Sequence, residues 1–163
     1  MKFITPGKKL KSTRKYLKMS QKDLVDENIT RGLISMIEIE KRELSSNVAS
    51  NLVEKFKKRA KELGIFLEID TDFFLRSPNE DAKLYCLKKF KETLNNKDII
   101  EILEIANKFN LLNIKAIAYM ELGEYYYASQ NYNEAFFNYN NSIDIFKNIN
   151  QNHKIPYIYM YII

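Results

Sequence analysis

The amino-acid sequence predicts an all-α fold. Three observations support this class: the 163 residues include only 4 Gly and 3 Pro, apolar residues recur at helical spacings, and several segments begin with helix-capping residues. Charge is unevenly distributed, since residues 1–64 carry 16 Lys and Arg against 8 Asp and Glu, and residues 65–163 carry 10 against 13. The basic part favours a polyanionic partner, and a solvated basic face with no partner is an equally acceptable interpretation.

The N-terminal segment predicts a first helix from Pro6 to Lys18. Thr5 is a suitable N-cap, and proline is favoured at the first helical position. Within this helix Arg14 falls near the apolar face, so the pattern places a charged side chain close to the buried side.

Residues 20–38 predict two short helices joined by a tight turn. Ser20 can cap the first, with Asp23 three residues later as a weaker form of the capping box, giving about two turns of helix. Asn28 lies where the chain must reverse, and asparagine tolerates the left-handed conformation well. Thr30 is the expected N-cap of the second helix.

The helix after Thr30 has two distinct faces. Ile34 and Ile37 are three residues apart and are predicted to face inward. An outward stripe is formed by two pairs at a spacing of four. Its members are Arg31, Gly32, Ser35 and Met36.

A fourth helix is predicted from Ser45 or Ser46 to about Leu63, with apolar residues that close the core. Its other face is basic, and such a run is more often a solvated helix face than a contact surface. The basic residues are Lys55, Lys57, Lys58, Arg59 and Lys61.

Residues 5–64 resemble the helix-turn-helix DNA-binding domains of the phage-repressor-like (Xre/Cro) family. The resemblance is carried by Ser20-Gln21, Leu24, the run from Thr30 to Ser35, Ile37-Glu38 and the basic Lys41-Arg42. It implies that the helix after Thr30 enters the major groove of DNA. The residues that it implies at or near DNA are Ser20, Gln21, Thr30, Arg31, Gly32, Leu33, Ser35, Met36, Lys41 and Arg42.

The same resemblance implies a structural ion pair between Arg14 of the first helix and Glu38. Two positions depart from the family pattern. Ile39-Glu40 replaces the usual glycine after that glutamate, and Leu44 replaces the usual proline before the fourth helix.

The second part of the chain is predicted to begin after a short packed connector over residues 65–76. Ser77, Pro78 and Glu80 form a complete helix-start signature, so a second domain is predicted over 77–163. Its pattern predicts two antiparallel helix pairs. Their helices cover residues 81–95, 97–109, 112–129 and 132–148.

The second helix pair resembles a tetratricopeptide repeat, in which small residues let two helices approach and aromatic residues fill the space between them. Six positions match the 34-residue motif in one register, and packing is the favoured role of the tyrosines. They are Tyr119, Leu122, Gly123, Tyr126, Ala135 and Tyr139. The first pair is at best a degenerate repeat.

The combination resembles the peptide-responsive PlcR-like and Rgg-like quorum-sensing transcription regulators. The resemblance implies a homodimer that binds operator DNA and is controlled by a short signalling peptide held in the groove of the repeats. By repeat position, the residues that it implies in the groove are Met120, Glu124 and Tyr127.

Two other functions remain open: a repressor whose repeats only dimerise or bind a protein partner, and an interaction scaffold that binds no DNA. The sequence shows no glycine-rich phosphate loop, nucleophile elbow or metal-ligand spacing, so neither an enzyme nor a cofactor is expected. Cys86 and His153 are each the single residue of their type, and packing or surface roles are favoured for both.

No apolar run approaches the roughly 20 residues needed to cross a bilayer, and residues 1–11 lack the apolar part of a signal peptide. A cytoplasmic protein that does not contact membranes is therefore expected. Residues 153–163 predict the opening helix of a further repeat, so we expect the chain to be an N-terminal fragment of a longer array.

Overall fold

The computed structural model describes residues 2–92, 94–155 and 158. These residues form eight α-helices and two short 3-10 turns and contain no β-strand, so the predicted all-α class is confirmed. None of the helices in the described part of the chain is long and apolar enough to cross a membrane. The helices are α1 (Pro6–Tyr16), α2 (Arg31–Glu38), α3 (Ser46–Glu62), α4 (Thr71–Leu75), α5 (Pro78–Lys89), α6 (Asn96–Lys108), α7 (Leu112–Ala128) and α8 (Tyr132–Asn148).

The chain divides into two compact units, a first unit over Met1–Pro78 and a second unit over Asn79–Ile163. The first unit buries one continuous apolar core to which α1, α2, α3 and α4 all contribute. Its most deeply buried side chains include Leu10, Leu17, Leu24, Ile29, Ile34, Ile37, Leu52, Phe56 and Phe74.

The predicted connector over residues 65–76 packs on the core of the first unit. Phe74 is fully buried there, with its ring centroid 5.6 Å from that of Phe56. Lys9 of α1 is also buried, and its ammonium group donates to the carbonyls of Phe73 and Arg76 at 2.8 and 2.7 Å. These hydrogen bonds offset the cost of burying a charge and tie α1 to the end of α4.

The prediction of a two-turn helix after Ser20 is wrong, because the structure has a single 3-10 turn over Lys22–Leu24. The backbone N–H of Ser20 donates to the Asp23 carboxylate at 2.6 Å, which closes the turn from its start. Val25 then takes an extended conformation, with φ −73° and ψ 142°, so the helix cannot continue. One turn suffices to bury Leu24 in the core.

The prediction of a left-handed conformation at Asn28 in the following turn is also wrong, since Asn28 is not among the residues with positive φ. The turn is closed instead by the Asp26 carboxylate, which accepts the backbone N–H groups of Asn28 and Ile29, both at 2.8 Å. This is an Asx-type turn, in which a side chain replaces a backbone acceptor.

Glu40 is one of several residues with a left-handed conformation, with φ 62°, and it lies in the loop where the repressor-like pattern has a glycine. The N–H of Glu40 donates to the carbonyl of Ile37, and the N–H of Lys41 donates to that of Met36, as in a Schellman motif. Thr5 lies at the N-cap position of α1, yet its hydroxyl donates to the Glu40 carboxylate and does not cap the helix.

In the second unit, α5 ends at Lys89, whereas the sequence predicts a helix as far as residue 95. Asn95 belongs to the next element, since its side chain accepts the N–H of Asp98 and its own N–H donates to the Asp98 carboxylate. This capping box starts α6 and removes Asn95 from α5. The predicted helices over 112–129 and 132–148 are confirmed as α7 and α8.

The α7–α8 pair packs closely at Gly123. A Cβ atom at this position would lie 2.5 Å from two ring atoms of Tyr139, which is itself buried. The hydroxyl of Ser142 on α8 donates to the carbonyl of Ala116 on α7 at 2.8 Å. A small residue therefore sets the separation of these helices, as the sequence predicts. Residues 156, 157 and 159–163, within the stretch predicted to open a further repeat, lie outside the described residues.

We predict that Gly123→Ala destabilises the protein by roughly 1–3 kcal/mol, because the added methyl group overlaps the Tyr139 ring in a packed core. Gly32→Ala is the matched control, since the nearest atom to its Cβ position is 3.9 Å away. We expect that control to change stability by less than about 1 kcal/mol, in the stabilising direction. Urea denaturation followed by circular dichroism measures both, and equal stabilities for the two variants would contradict the close helix approach.

Candidate nucleic-acid interface

The inward face of α2 is fixed by a buried ion pair. The Nε and Nη2 groups of Arg14 donate to the two carboxylate oxygens of Glu38 at 2.6 and 2.8 Å, which confirms the predicted pair. The remaining Nη1 group of Arg14 donates to the carbonyl of Met19 at 2.9 Å. Because both charges are out of solvent, each depends on the other for its stability.

The electrostatics of this pair favour the ionised state. Burial raises the pKa of Glu38. Hydrogen bonds from Arg14 and Gln21, together with the charges of Arg14 and Lys11, lower this pKa by more than burial raises it, so the net shift is downward. The hydrogen bond to Glu38 raises the pKa of Arg14 against the opposing effect of burial. The end of α2 is thus held to α1 by two full charges.

The start of α2 is fixed by hydrogen bonds at the preceding turn. The hydroxyl oxygen of Thr30 accepts the backbone N–H of Leu33 at 3.1 Å, as its predicted role as N-cap requires. Before it, the ammonium group of Lys55 donates to the Leu24 carbonyl and to the Asp26 carboxylate, both at 2.6 Å. That hydrogen bond from Lys55 is the main cause of the lowered pKa of Asp26.

Lys55 and Arg59 are therefore not part of a solvated basic face, and the prediction for these two residues is wrong. Both are half-buried, and the Nε group of Arg59 donates to the Leu17 carbonyl at 3.4 Å. Lys57, Lys58 and Lys61 of α3 are exposed. The sequence offered no local signal for this division, because the acceptors lie on distant segments of the chain.

The outward stripe of α2 is open to solvent at three of its four positions. Arg31, Gly32 and Met36 are exposed, and Ser35 is half-buried. Leu33, which the resemblance also placed near DNA, is half-buried and packs against the core of the first unit. The exposed part of the stripe thus offers one cation, one position without a side chain and one flexible apolar side chain.

The remaining residues implied near DNA flank α2. Lys41 and Arg42 are exposed and directly follow the left-handed Glu40. Ser20 is exposed, whereas Gln21 is half-buried and donates to a Glu38 carboxylate oxygen at 3.0 Å. Gln21 therefore extends the Arg14–Glu38 pair into a network that joins the 3-10 turn to both helices.

The three residues implied in a peptide groove lie on α7 in different environments. Glu124 is half-buried and lines a cleft of the second unit. Met120 is half-buried against the core formed by α7, α8 and the segment that follows. Tyr127 is exposed, and its ring meets that of Tyr132 edge-on with centroids 5.6 Å apart. These contacts therefore do not bring the three residues together in one groove, and Glu124 is the one that lines the cleft.

The single cysteine and the single histidine have ordinary surroundings. Cys86 is fully buried, and burial raises the pKa of its thiol to about 11, so the thiol stays protonated at neutral pH. The interpretation of this residue as a small buried hydrophobe is confirmed. His153 is exposed at the 3-10 turn Asn152–Lys154.

No family model matches the chain, and neither a curated protein nor a solved structure matches it. Function is therefore inferred from the residues and their geometry.

We predict that Glu38→Gln destabilises the first unit by roughly 3–5 kcal/mol, because the buried Arg14 loses its counter-ion. Because the pKa of Glu38 is lowered in the folded state, the carboxylate stabilises the fold fully at pH values above the unfolded-state pKa of about 4.3. The stabilisation is lost as the pH falls through the folded-state pKa, so the difference from the wild type should narrow in acid. Urea denaturation across this pH range measures the effect.

The control for this change is Glu62→Gln, which removes a carboxylate whose 3.0 Å ion pair with Arg59 is largely exposed. We expect it to cost less than about 1 kcal/mol. If Glu38→Gln cost no more than this control, the buried pair would not hold α2 in place.

We predict that Lys55→Met lowers the hydrogen-exchange protection of the Asn28 and Ile29 amides, because Asp26, their acceptor, loses its own partner. Lys57→Met is the control, since it removes an exposed ammonium group from the same helix. Exchange followed by mass spectrometry on the peptide that spans these residues distinguishes the variants. Equal protection in both would show that the turn does not depend on Lys55.

Proposed function

We propose that the protein is a sequence-specific DNA-binding transcription regulator in which α2 is the recognition helix of a helix-turn-helix. The observation that carries this proposal is the contrast between the two faces of α2. Its inward face is held by Ile34, Ile37 and the Arg14–Glu38 pair, while Arg31, Gly32 and Met36 are exposed on the outward face. A rigidly held helix with a free N-terminal face is what major-groove recognition requires.

The chemistry of the outward face suggests what it contacts. Arg31 can donate two parallel hydrogen bonds to O6 and N7 of guanine, the commonest base-specific contact in the major groove. Gly32 carries no side chain, so the helix backbone can lie close to the base edges there. Met36 can make apolar contact with a thymine methyl group, and the hydroxyl of Ser35 can donate or accept. Discrimination would rest mainly on Arg31.

The charge of the first 64 residues supports a polyanionic partner. Lys41 and Arg42 are exposed in the loop after α2, and Lys11 of α1 is near enough to Glu38 to lower its pKa. Lysines placed around a recognition helix contact phosphates and release counter-ions, which makes affinity strongly dependent on salt.

We further propose that the protein acts as a cytoplasmic homodimer and that the second unit, through tetratricopeptide-type repeats, binds a short signalling peptide. One recognition helix with a single strong base contact gives limited discrimination, and two copies about 34 Å apart would add their contacts on one face of DNA. The close α7–α8 approach at Gly123 and Tyr139 supports the repeat assignment. The combination of a helix-turn-helix motif with such repeats resembles that of PlcR-like and Rgg-like regulators.

We predict that Arg31→Ala weakens binding to a selected duplex by about tenfold or more and relaxes preference at a guanine position. Lys57→Ala is the matched control, because it removes one positive charge from an exposed position of α3. Duplexes are first selected from a random pool with the wild-type chain. Fluorescence anisotropy at several salt concentrations then compares the wild type and the two variants.

The two variants separate specific recognition from general attraction. An equal loss for Arg31→Ala and Lys57→Ala, with sequence preference unchanged, would show that α2 does not contact base edges. If no duplex were enriched and none bound at low salt, the protein would not bind DNA.

A further inference from the structure

Residues 64–70, which join α3 to α4 in the first unit, alternate between exposed and buried side chains. Ile65, Leu67 and Ile69 contact the core of the first unit, and the residues between them are exposed. A repeat of two is that of an extended strand, in which successive side chains point to opposite faces. Asp70, with φ −132° and ψ 178°, has such a conformation. We call residues 64–70 the extended segment.

The backbone of the extended segment is unpaired at its centre. The N–H groups of Gly64 and Ile65 donate to the carbonyls of Lys61 and Ala60, where α3 ends. Residues 66–69, in contrast, make no hydrogen bond to any residue that the structure describes. Because buried backbone groups are almost always paired, these N–H and carbonyl groups must be open to water. They form the kind of free edge to which another extended chain can add.

The exposed face of the extended segment has an apolar centre and an acidic end. Phe66 is 90% exposed, the highest value among the large apolar side chains of the described residues. A phenylalanine ring in water is unfavourable, so any partner that covers Phe66 gains free energy from its burial. Glu68 and Asp70 follow on the same face and are also exposed. Their charges limit the ways in which another chain can pair with this edge.

The pattern of this edge favours a second copy of the same segment as its partner. Two copies in antiparallel orientation about a twofold axis present the same groups to each other, so donors of one meet acceptors of the other. With the axis at Phe66, the two rings are directly opposite each other, and each Glu68 lies opposite Gly64 of the other copy.

The other two registers are less favourable. With the axis at Leu67, each Glu68 carboxylate would lie opposite a Phe66 ring and lose water without gaining a partner. With the axis at Glu68, two carboxylates would be directly opposite, and like charges in that position are destabilising. The positions of the ring and the acid therefore select the register centred on Phe66.

We propose that the extended segment pairs with its counterpart in a second copy of the chain, as a two-stranded antiparallel ribbon centred on Phe66. The pairing gives hydrogen-bond partners to backbone groups that lack them and covers the Phe66 ring. This proposal rests on the proposed homodimer, and it identifies the surface through which the first units of the two copies meet.

The size of this contact sets the expected strength of the pairing. Residues 64–68 of each copy bury less than the roughly 800 Å² that each partner contributes to a standard interface. We therefore expect a monomer–dimer equilibrium that depends on concentration. Two copies held on one operator are at a high effective concentration, which favours the pairing there.

The first test is cysteine cross-linking of the full chain, alone and on the selected duplex. In the proposed register the Cβ atoms at position 66 of the two copies are about 4.5–5.5 Å apart, near the Cβ separation of a disulfide. Those at position 68 are roughly 13 Å apart along the strands, four steps of about 3.3 Å. We expect Phe66→Cys to form a disulfide-linked dimer under copper-catalysed oxidation, and the matched Glu68→Cys to form at least about tenfold less.

The wild type measures the background from Cys86 in this experiment. Its thiol is buried and stays protonated at neutral pH, so we expect no cross-link from it.

The second test is sedimentation velocity of the full chain over a range of concentrations. We expect Phe66→Lys to weaken dimerisation by about tenfold or more, because two like charges then meet at the axis. Phe136→Lys is the matched control, since it places the same charge at a 57% exposed phenylalanine of α8. We expect this control to dimerise within about twofold of the wild type, because a change outside the contact does not couple to it.

The outcomes separate this proposal from the proposed function. A dimer in which positions 66 and 68 cross-link equally, or in which Phe66→Lys and Phe136→Lys have the same effect, would overturn the pairing and leave the homodimer standing. A chain that stays monomeric and forms no cross-link on the selected duplex would overturn both. Recognition of DNA by α2 is measured separately through Arg31→Ala, so its failure would be distinguishable from either result.

Discussion

The buried pair of Arg14 and Glu38 is the interaction on which the geometry of the first unit depends. Each residue comes from a different helix, and each would leave an uncompensated charge in the core if the other moved away. Apolar contacts from Ile34 and Ile37 hold α2 against the core but allow it to slide or rotate, because they have no fixed direction. The two parallel hydrogen bonds of a guanidinium and a carboxylate do have one, so they determine the angle at which α2 leaves the core.

The other end of α2 depends on hydrogen bonds of the same directional kind. Lys55 on α3 holds Asp26, and Asp26 in turn holds the backbone of the turn that precedes Thr30. Both ends of an eight-residue helix are thus fixed by charged groups from other elements. Such support is needed because a helix this short has little stability of its own. A recognition helix also has to keep its side chains within a fraction of an ångström of their partners to be selective.

Local sequence patterns predicted the parts of this structure that depend on neighbouring residues. The caps at Thr30 and Ser45 and the bounds of α7 and α8 follow from residue type and spacing alone. The role of Lys55 and the attachment of α4 to α1 through Lys9 did not follow, since they depend on partners about 30 or more residues away. The Arg14–Glu38 pair also joins distant residues, and it was predicted through the family resemblance and not from spacing.

Charge separates the two proposed functions along the chain. The basic residues that would attract DNA lie in the first 64 positions, whereas residues 116–146 carry four acidic residues and no basic one. A polyanion is therefore attracted by the first 64 residues and repelled by the α7–α8 hairpin. DNA on the first unit and a signalling peptide on the second unit would not compete for one surface, so a complex that holds both at once is electrostatically permitted. That condition is necessary for allosteric regulation, because coupling between two ligands has a defined free energy only when both can be bound together.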